Sequence, residues 1–70
     1  MDPTLAFDNS EPVYTLLGVR PDGVASIVDL VPTGDLPAAR RRARALMVEH
    51  QSCNLVEVWR EGAFVEQLSR

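Results

Sequence analysis

Seventy residues, 46% of them hydrophobic and one of them cysteine, make one small domain that hides only about 60% of the surface its unfolded chain exposes. No intrachain disulfide can staple such a chain, so a reducing, cytoplasmic setting and a core completed by oligomerisation are expected. The net charge of −3 argues against a protein that coats nucleic acid with its whole surface, and no apolar run approaches the length of a membrane span.

The chain begins with a lead-in, residues 1–12 (MDPTLAFDNSEP), that mixes two prolines with Asp, Asn and Ser and carries three carboxylates but no basic residue. That is the reverse of a targeting peptide and predicts an extended or flexible segment. Within it, Leu5 and Phe7 are spaced to dock a short extended piece on the body or on a neighbouring subunit.

Residues 13–70 form the domain proper. Val13 to Arg20 (VYTLLGVR) and Val24 to Val31 (VASIVDLV) are apolar, β-branched runs on either side of Arg20-Pro21-Asp22-Gly23. This is the chemistry of a three-residue hairpin loop, a type I turn closed by glycine in a G1 bulge. Pairing outward from that loop sets Arg20 against Val24, Val19 against Ala25 and Leu17 against Ile27. One face then carries Val13, Thr15, Leu17, Val19, Ala25, Ile27 and Val31 with Asp29, and the other Tyr14, Leu16, Val24, Val28 and Leu30.

Pro32-Thr33-Gly34 ends the second strand, and Asp35 is placed as a helix N-cap with Pro37 in the first turn. From there Leu36, Ala39, Ala43, Leu46, Met47 and His50 recur at spacings of three and four, the stripe of an amphipathic helix that ends near His50 to Cys53. The chain has no lysine, and four of its seven arginines crowd into Arg40, Arg41, Arg42 and Arg44. Arg41 and Arg44 point outward, while Arg40 and Arg42 flank the stripe. The lack of lysine is expected to reflect a GC-rich genome more than selection for guanidinium chemistry.

Leu55 to Trp59 and Ala63 to Leu68 flank Trp59-Arg60-Glu61-Gly62, a second turn of the same chemistry. A three-residue loop pairs Trp59 with Ala63 and Val58 with Phe64. A two-residue loop at Glu61-Gly62 would set Trp59 opposite Phe64 instead, but it asks glutamate to adopt a left-handed conformation. The expected fold is α+β: ββαββ, a four-stranded antiparallel sheet of two hairpins with one helix packed on one face. Strand order is not legible at this level.

No glycine-rich phosphate loop, paired carboxylates or Ser/His/Asp order is present, so no catalytic residue is assigned and an enzyme is not expected. His50 and Cys53, at i and i+3, are the one pair with nucleophilic or ligating potential. A closed zinc site needs four ligands, which only a symmetric dimer could assemble. The expectation is a histidine at the helix end beside a packing cysteine, with no metal and no cofactor. Arg40, Arg41 and Arg44 are candidate anion or nucleic-acid contacts, though carboxylates throughout the strands argue against a nucleic-acid partner.

The surplus of apolar strand residues is the informative feature. Both hairpins carry them on both faces, and one helix covers only one face, so the other needs a second cover. Tyr14, Leu16, Val28, Leu30 and Trp59 are the expected partner interface, with Trp59 either a core cap or an interface anchor. A hairpin followed by a helix with spaced alanines, Ala39 and Ala43, resembles over Tyr14 to Glu49 the HicB-like antitoxin domain, a small sheet and helix that neutralises a partner toxin. The resemblance implies partner binding, carries over no functional residue and lacks the DNA-binding tail. The function expected is a small non-enzymatic protein-interaction or regulatory module, homodimeric through its second apolar sheet face.

Overall fold

A computed structural model describes residues 12–70. The expected lead-in, including Leu5 and Phe7, lies outside the described residues except for Pro12. In chain order the elements are β1 (Tyr14–Val19), β2 (Ala25–Val31), α1 (Leu36–Glu49), β3 (Leu55–Arg60) and β4 (Ala63–Ser69). The four strands form one antiparallel sheet in the order β2-β1-β3-β4, so the two hairpins join through their first strands. The helix covers one face, as the ββαββ reading expects.

Three rows of side chains cross the sheet on each face. Beneath the helix they are Val31, Tyr14, Arg60 and Ala63; then Asp29, Leu16, Val58 and Glu66; then Ile27, Gly18, Val56 and Leu68. The helix sets Ala39, Ala43, Leu46 and Met47 on these rows, and with Tyr14, Leu16, Val56 and Val58 they form the buried core. The alanines keep the helix close to the middle strands. Leu36, Ile27, Val31 and Leu68 pack around the rim of this core.

Asp35 occupies the N-cap in an extended conformation (φ −99°, ψ 107°), but its side chain makes no capping bond. Its carbonyl accepts the N–H groups of Ala38 (3.0 Å) and Ala39 (3.2 Å), while the Thr33 hydroxyl accepts the Asp35 N–H at 3.0 Å.

The first turn is as expected. Gly23 has φ 89°, its N–H donates to the Arg20 carbonyl at 2.8 Å, and Arg20 N–H donates to the Val24 carbonyl at 2.9 Å. Two residues further the register departs from the expectation. A bulge at Ser26 leaves Val19 opposite Ala25 but sets Gly18 opposite Ile27 and Leu17 opposite Val28. A one-residue slip exchanges the faces of everything beyond it. Leu17 therefore does not pair with Ile27, and Tyr14 and Leu16 do not share a face with Val28 and Leu30.

Packing explains where the slip falls. The Cys53 thiol fills the hollow at Gly18, where a Cβ would lie 3.0 Å from Cys53 Sγ and 3.1 Å from Ile27 Cβ. With glycine there, Ile27 and Val31 turn toward the core and the Ser26 hydroxyl comes within 3.6 Å of the thiol.

The second turn is the two-residue loop rather than the three-residue one. Glu61 (φ 52°) and Gly62 (φ 78°) both take positive φ, the signature of a type I′ turn. Arg60 pairs with Ala63 and Trp59 with Phe64, and a bulge at Val65 then sets Val58 against Glu66. The pairings of Trp59 with Ala63 and Val58 with Phe64 are thus replaced. The type I′ twist matches that of the strands, which offsets the cost of a left-handed glutamate.

Candidate interaction surface

The face away from the helix is made of the alternate residues of the same strands. Its rows are Leu30, Thr15, Trp59 and Phe64; then Val28, Leu17, Glu57 and Gln67; then Ala25, Val19, Leu55 and Ser69. Nothing among the described residues lies over it. Val28 is 65% exposed, Leu30 62% and Phe64 50%, whereas Leu16 and Val58, on the covered face of the neighbouring strands, are wholly buried. The Trp59 and Phe64 rings meet edge to face, with centroids 5.5 Å apart and planes at 78°. This geometry makes a firm aromatic corner, and the Trp59 indole N–H donates to Glu57 Oε1 at 3.0 Å.

Of the expected interface residues, the structure brings Val28, Leu30 and Trp59 together on this open face. Tyr14 and Leu16 do not belong with them. They are buried beneath the helix, at 5% and 0% exposure, because the Ser26 bulge turns β2 over relative to β1. Leu17, Glu57 and Phe64 take their places. Phe64 is legible through the alternative two-residue turn, whereas the expected pairing of Leu17 with Ile27 sets both on one face; the bulge separates them, Leu17 joining the open face and Ile27 packing against the core.

The arginine run divides by position. Arg40 spans the helix edge to Glu66 on β4, with Nε to Oε2 at 2.6 Å and Nη2 to Oε1 at 2.9 Å. Arg42 reaches the opposite edge, to Asp29 on β2 at 2.7 Å, and also Glu49 at 3.1 Å. Asp29 and Glu66 are the two ends of a single row whose middle is Leu16 and Val58, so the two arginines clamp the helix to both outer strands. Hydrogen bonds from Arg40 hold the Glu66 carboxyl below the usual carboxylate range, against partial burial. In the first turn, Arg20 and then the Val24 N–H do the same for Asp22. Arg40 is thus committed inside the fold, while Arg41 and Arg44 stand exposed on the outer helix face near Val48. Neither makes an ion pair among the described residues, though the charge of Arg44 helps to hold the Glu66 carboxyl down.

His50 is the C-cap of the helix, and its carbonyl accepts the Cys53 N–H at 3.0 Å. Cys53 is a buried free thiol packed against Gly18 and Ser26. No group of three or more His, Cys, Asp or Glu side chains gathers at metal-binding distance among the described residues. Reading by residue type missed Arg70, whose Nη2 donates to the carbonyls of Met47 (2.6 Å) and Cys53 (2.7 Å) and places a cation at the helix C-terminus. Its only signal is a long cationic side chain two residues beyond Leu68.

Among the described residues no helix is long and apolar enough to cross a membrane. The chain matches no protein-family model, no curated protein and no solved structure.

Proposed function

We propose that this chain is a small non-enzymatic interaction module whose working surface is the open sheet face, and that it self-associates there as a homodimer. The observation that carries the reading is the apolar character of a face that no element among the described residues covers: Val28, Leu30 and Phe64 are half or more exposed beside Leu17, Leu55 and Trp59. A sheet with one apolar face must bury it against another layer, and a second sheet is one of the few stable solutions. Burying a Leu, Val or Phe side chain contributes about 1.5–3 kcal/mol, so a handful of such residues offsets an association cost of about 4–15 kcal/mol. In a reducing cytoplasm, the setting this reading adopts, the buried Cys53 remains a thiol.

The test is sedimentation of the full chain over a micromolar range at pH 5.5 and 7.5, alongside Leu30→Glu on the open face and Val48→Glu on the outer helix face. Self-association of the wild type, lost in Leu30→Glu and kept in Val48→Glu, is the expected pattern. A folded wild type that stays monomeric throughout overturns the reading, as does a dimer that Leu30→Glu leaves intact.

A further inference from the structure

The open face carries one charge, and no cation of the chain is placed to meet it. In its three rows Glu57 is the single ionisable side chain, set between Leu17 and Gln67 across the strands and between Leu55 and Trp59 along β3. Its carboxylate accepts the Trp59 indole N–H at 3.0 Å and joins no ion pair among the described residues.

The chain has seven arginines and no lysine, and every arginine is placed away from this face. Arg20 closes on Asp22 in the first turn, Arg40 on Glu66, and Arg42 on Asp29 and Glu49. Arg60 lies over the Tyr14 ring on the covered side, 5.3 Å from its centroid. Arg70 donates to the carbonyls of Met47 and Cys53, and Arg41 and Arg44 stand exposed on the outer face of the helix. His50 sits at the helix C-cap.

That distribution separates the possible occupants of the face. Apolar groups that close over an ionised carboxylate strip it of water, which is favourable only where a cation comes with them. Residues 1–11 hold three carboxylates and no basic residue, so that segment brings more charge of the same sign. A second copy seated by the same face brings another Glu57 and none of its arginines. The complement of this face, an apolar surface with one cation on it, is therefore found in neither.

We propose that the open face takes an amphipathic helix of another protein, with its apolar stripe along Leu17, Val28 and Leu30 and an arginine or lysine on its flank paired with Glu57. The covered face is the pattern for this arrangement. There α1 lays Ala39, Ala43, Leu46 and Met47 on the strands and reaches carboxylates from its flanks, Arg40 to Glu66 and Arg42 to Asp29. Strands stand about 4.8 Å apart and a helix is about 10 Å across. A helix seated over β1 and β2 thus has its flank above β3, where Glu57 stands, and the Trp59–Phe64 corner bounds it on that side. Helices on both faces of one sheet are among the stable layer arrangements. The inference rests on the reading above in taking the open face as the working surface. Against such a partner a copy is the weaker occupant, because it leaves Glu57 unpaired.

The probe is a displayed library of 14-residue helical peptides, the length of α1, with a fixed apolar stripe, randomised flanks and no tryptophan. It is selected on the full chain at sub-micromolar concentration, and the selected peptides are titrated by the fluorescence of Trp59, the one tryptophan of the chain. Circular dichroism checks that each variant is folded. The selected peptides should carry arginine or lysine at one flank and bind Glu57→Gln at least about tenfold more weakly than wild type. Leu30→Glu should abolish binding and Val48→Glu should leave it unchanged. Glu57→Arg should recover a peptide whose flanking cation is exchanged for glutamate.

A folded wild type that selects no binder overturns the proposal, as do binders without a flanking cation or with equal affinity for Glu57→Gln. Sedimentation of the same chain separates this outcome from self-association. A monomer that binds the cationic peptides ends the homodimer and keeps the partner helix, and a dimer that none of the peptides dissociates does the reverse.

Discussion

The two faces of the sheet are woven from the same four strands, yet they treat their carboxylates differently. On the covered face Asp29 and Glu66 end one row, and each meets a guanidinium from the helix, Arg42 and Arg40. On the open face Glu57 sits inside its row with an indole N–H for company. The aliphatic residues follow the same division, Leu16 and Val58 being wholly buried and Val28 and Leu30 more than 60% exposed. One face is a finished core with its polar edges tied down, and the other has the composition of a core and the exposure of a surface. Apolar composition is therefore not what separates the faces; the presence of a cover among the described residues is.

Truncating one leucine on each side gives the largest expected contrast. Leu16→Ala removes a fully buried side chain from the centre of the core and should lower stability by about 2–5 kcal/mol, a large part of what a domain this small possesses. Leu30→Ala should change the stability of the dilute chain by no more than about 0.5 kcal/mol. Urea denaturation at sub-micromolar concentration checks both, since dilution removes any contribution from association. Equal losses would show that the open face is already covered in the monomer and would end the contrast.

Much of this architecture is legible in the residues themselves. Gly23 and Gly62 mark the turns, and the stripe from Leu36 to Met47 marks the helix, because a positive φ and a 3.6-residue period are local demands that local residue types meet. The membership of the faces is not legible in the same way. It depends on bulges at Ser26 and Val65, and a bulge is chosen by what lies across the sheet. The Cys53 thiol in the hollow of Gly18 is 35 positions away in the chain. The Arg40–Glu66 and Arg42–Asp29 pairs depend on the same choice, since each carboxylate reaches its arginine only if its strand turns that face toward the helix. The joining of β1 to β3 likewise follows from how the helix seats, which no single segment states.

Glu61 is where local preference and the observed turn conflict most directly. It holds φ 52° in a type I′ position that suits asparagine or glycine. Glu61→Asn should stabilise the chain by about 0.5–1 kcal/mol in the same denaturation experiment, because asparagine tolerates the left-handed region better. Nearby, the turn sets Trp59 against Phe64 on the open face, so Trp59 fluorescence should keep its wild-type spectrum in this variant. A destabilised Glu61→Asn would mean that the hairpin closes through the three-residue loop, which takes Phe64 off the open face.

The clamped carboxylate supplies the smallest effect and the most direct comparison with Glu57. Glu66 titrates below its ordinary value of 4.5, chiefly through the hydrogen bonds from Arg40, with burial opposing. A carboxylate depressed in the folded state contributes stability that is fully present above its unfolded value and is lost as pH falls through its folded value. Glu66→Gln should therefore lower the thermal midpoint at pH 7 by a few degrees at most, since the pair is partly exposed and screened by water. That difference from wild type should close as pH falls below about 4.5 and Glu66 itself is neutralised. Glu57→Gln should leave the midpoint of the dilute chain at pH 7 where it was, because no cation loses a partner. Thermal circular dichroism from pH 7 to 3 measures these differences. If Glu66→Gln proves as silent at pH 7 as Glu57→Gln, the Arg40 clamp adds nothing to stability, and at that edge the two faces differ only in whether a helix lies over them.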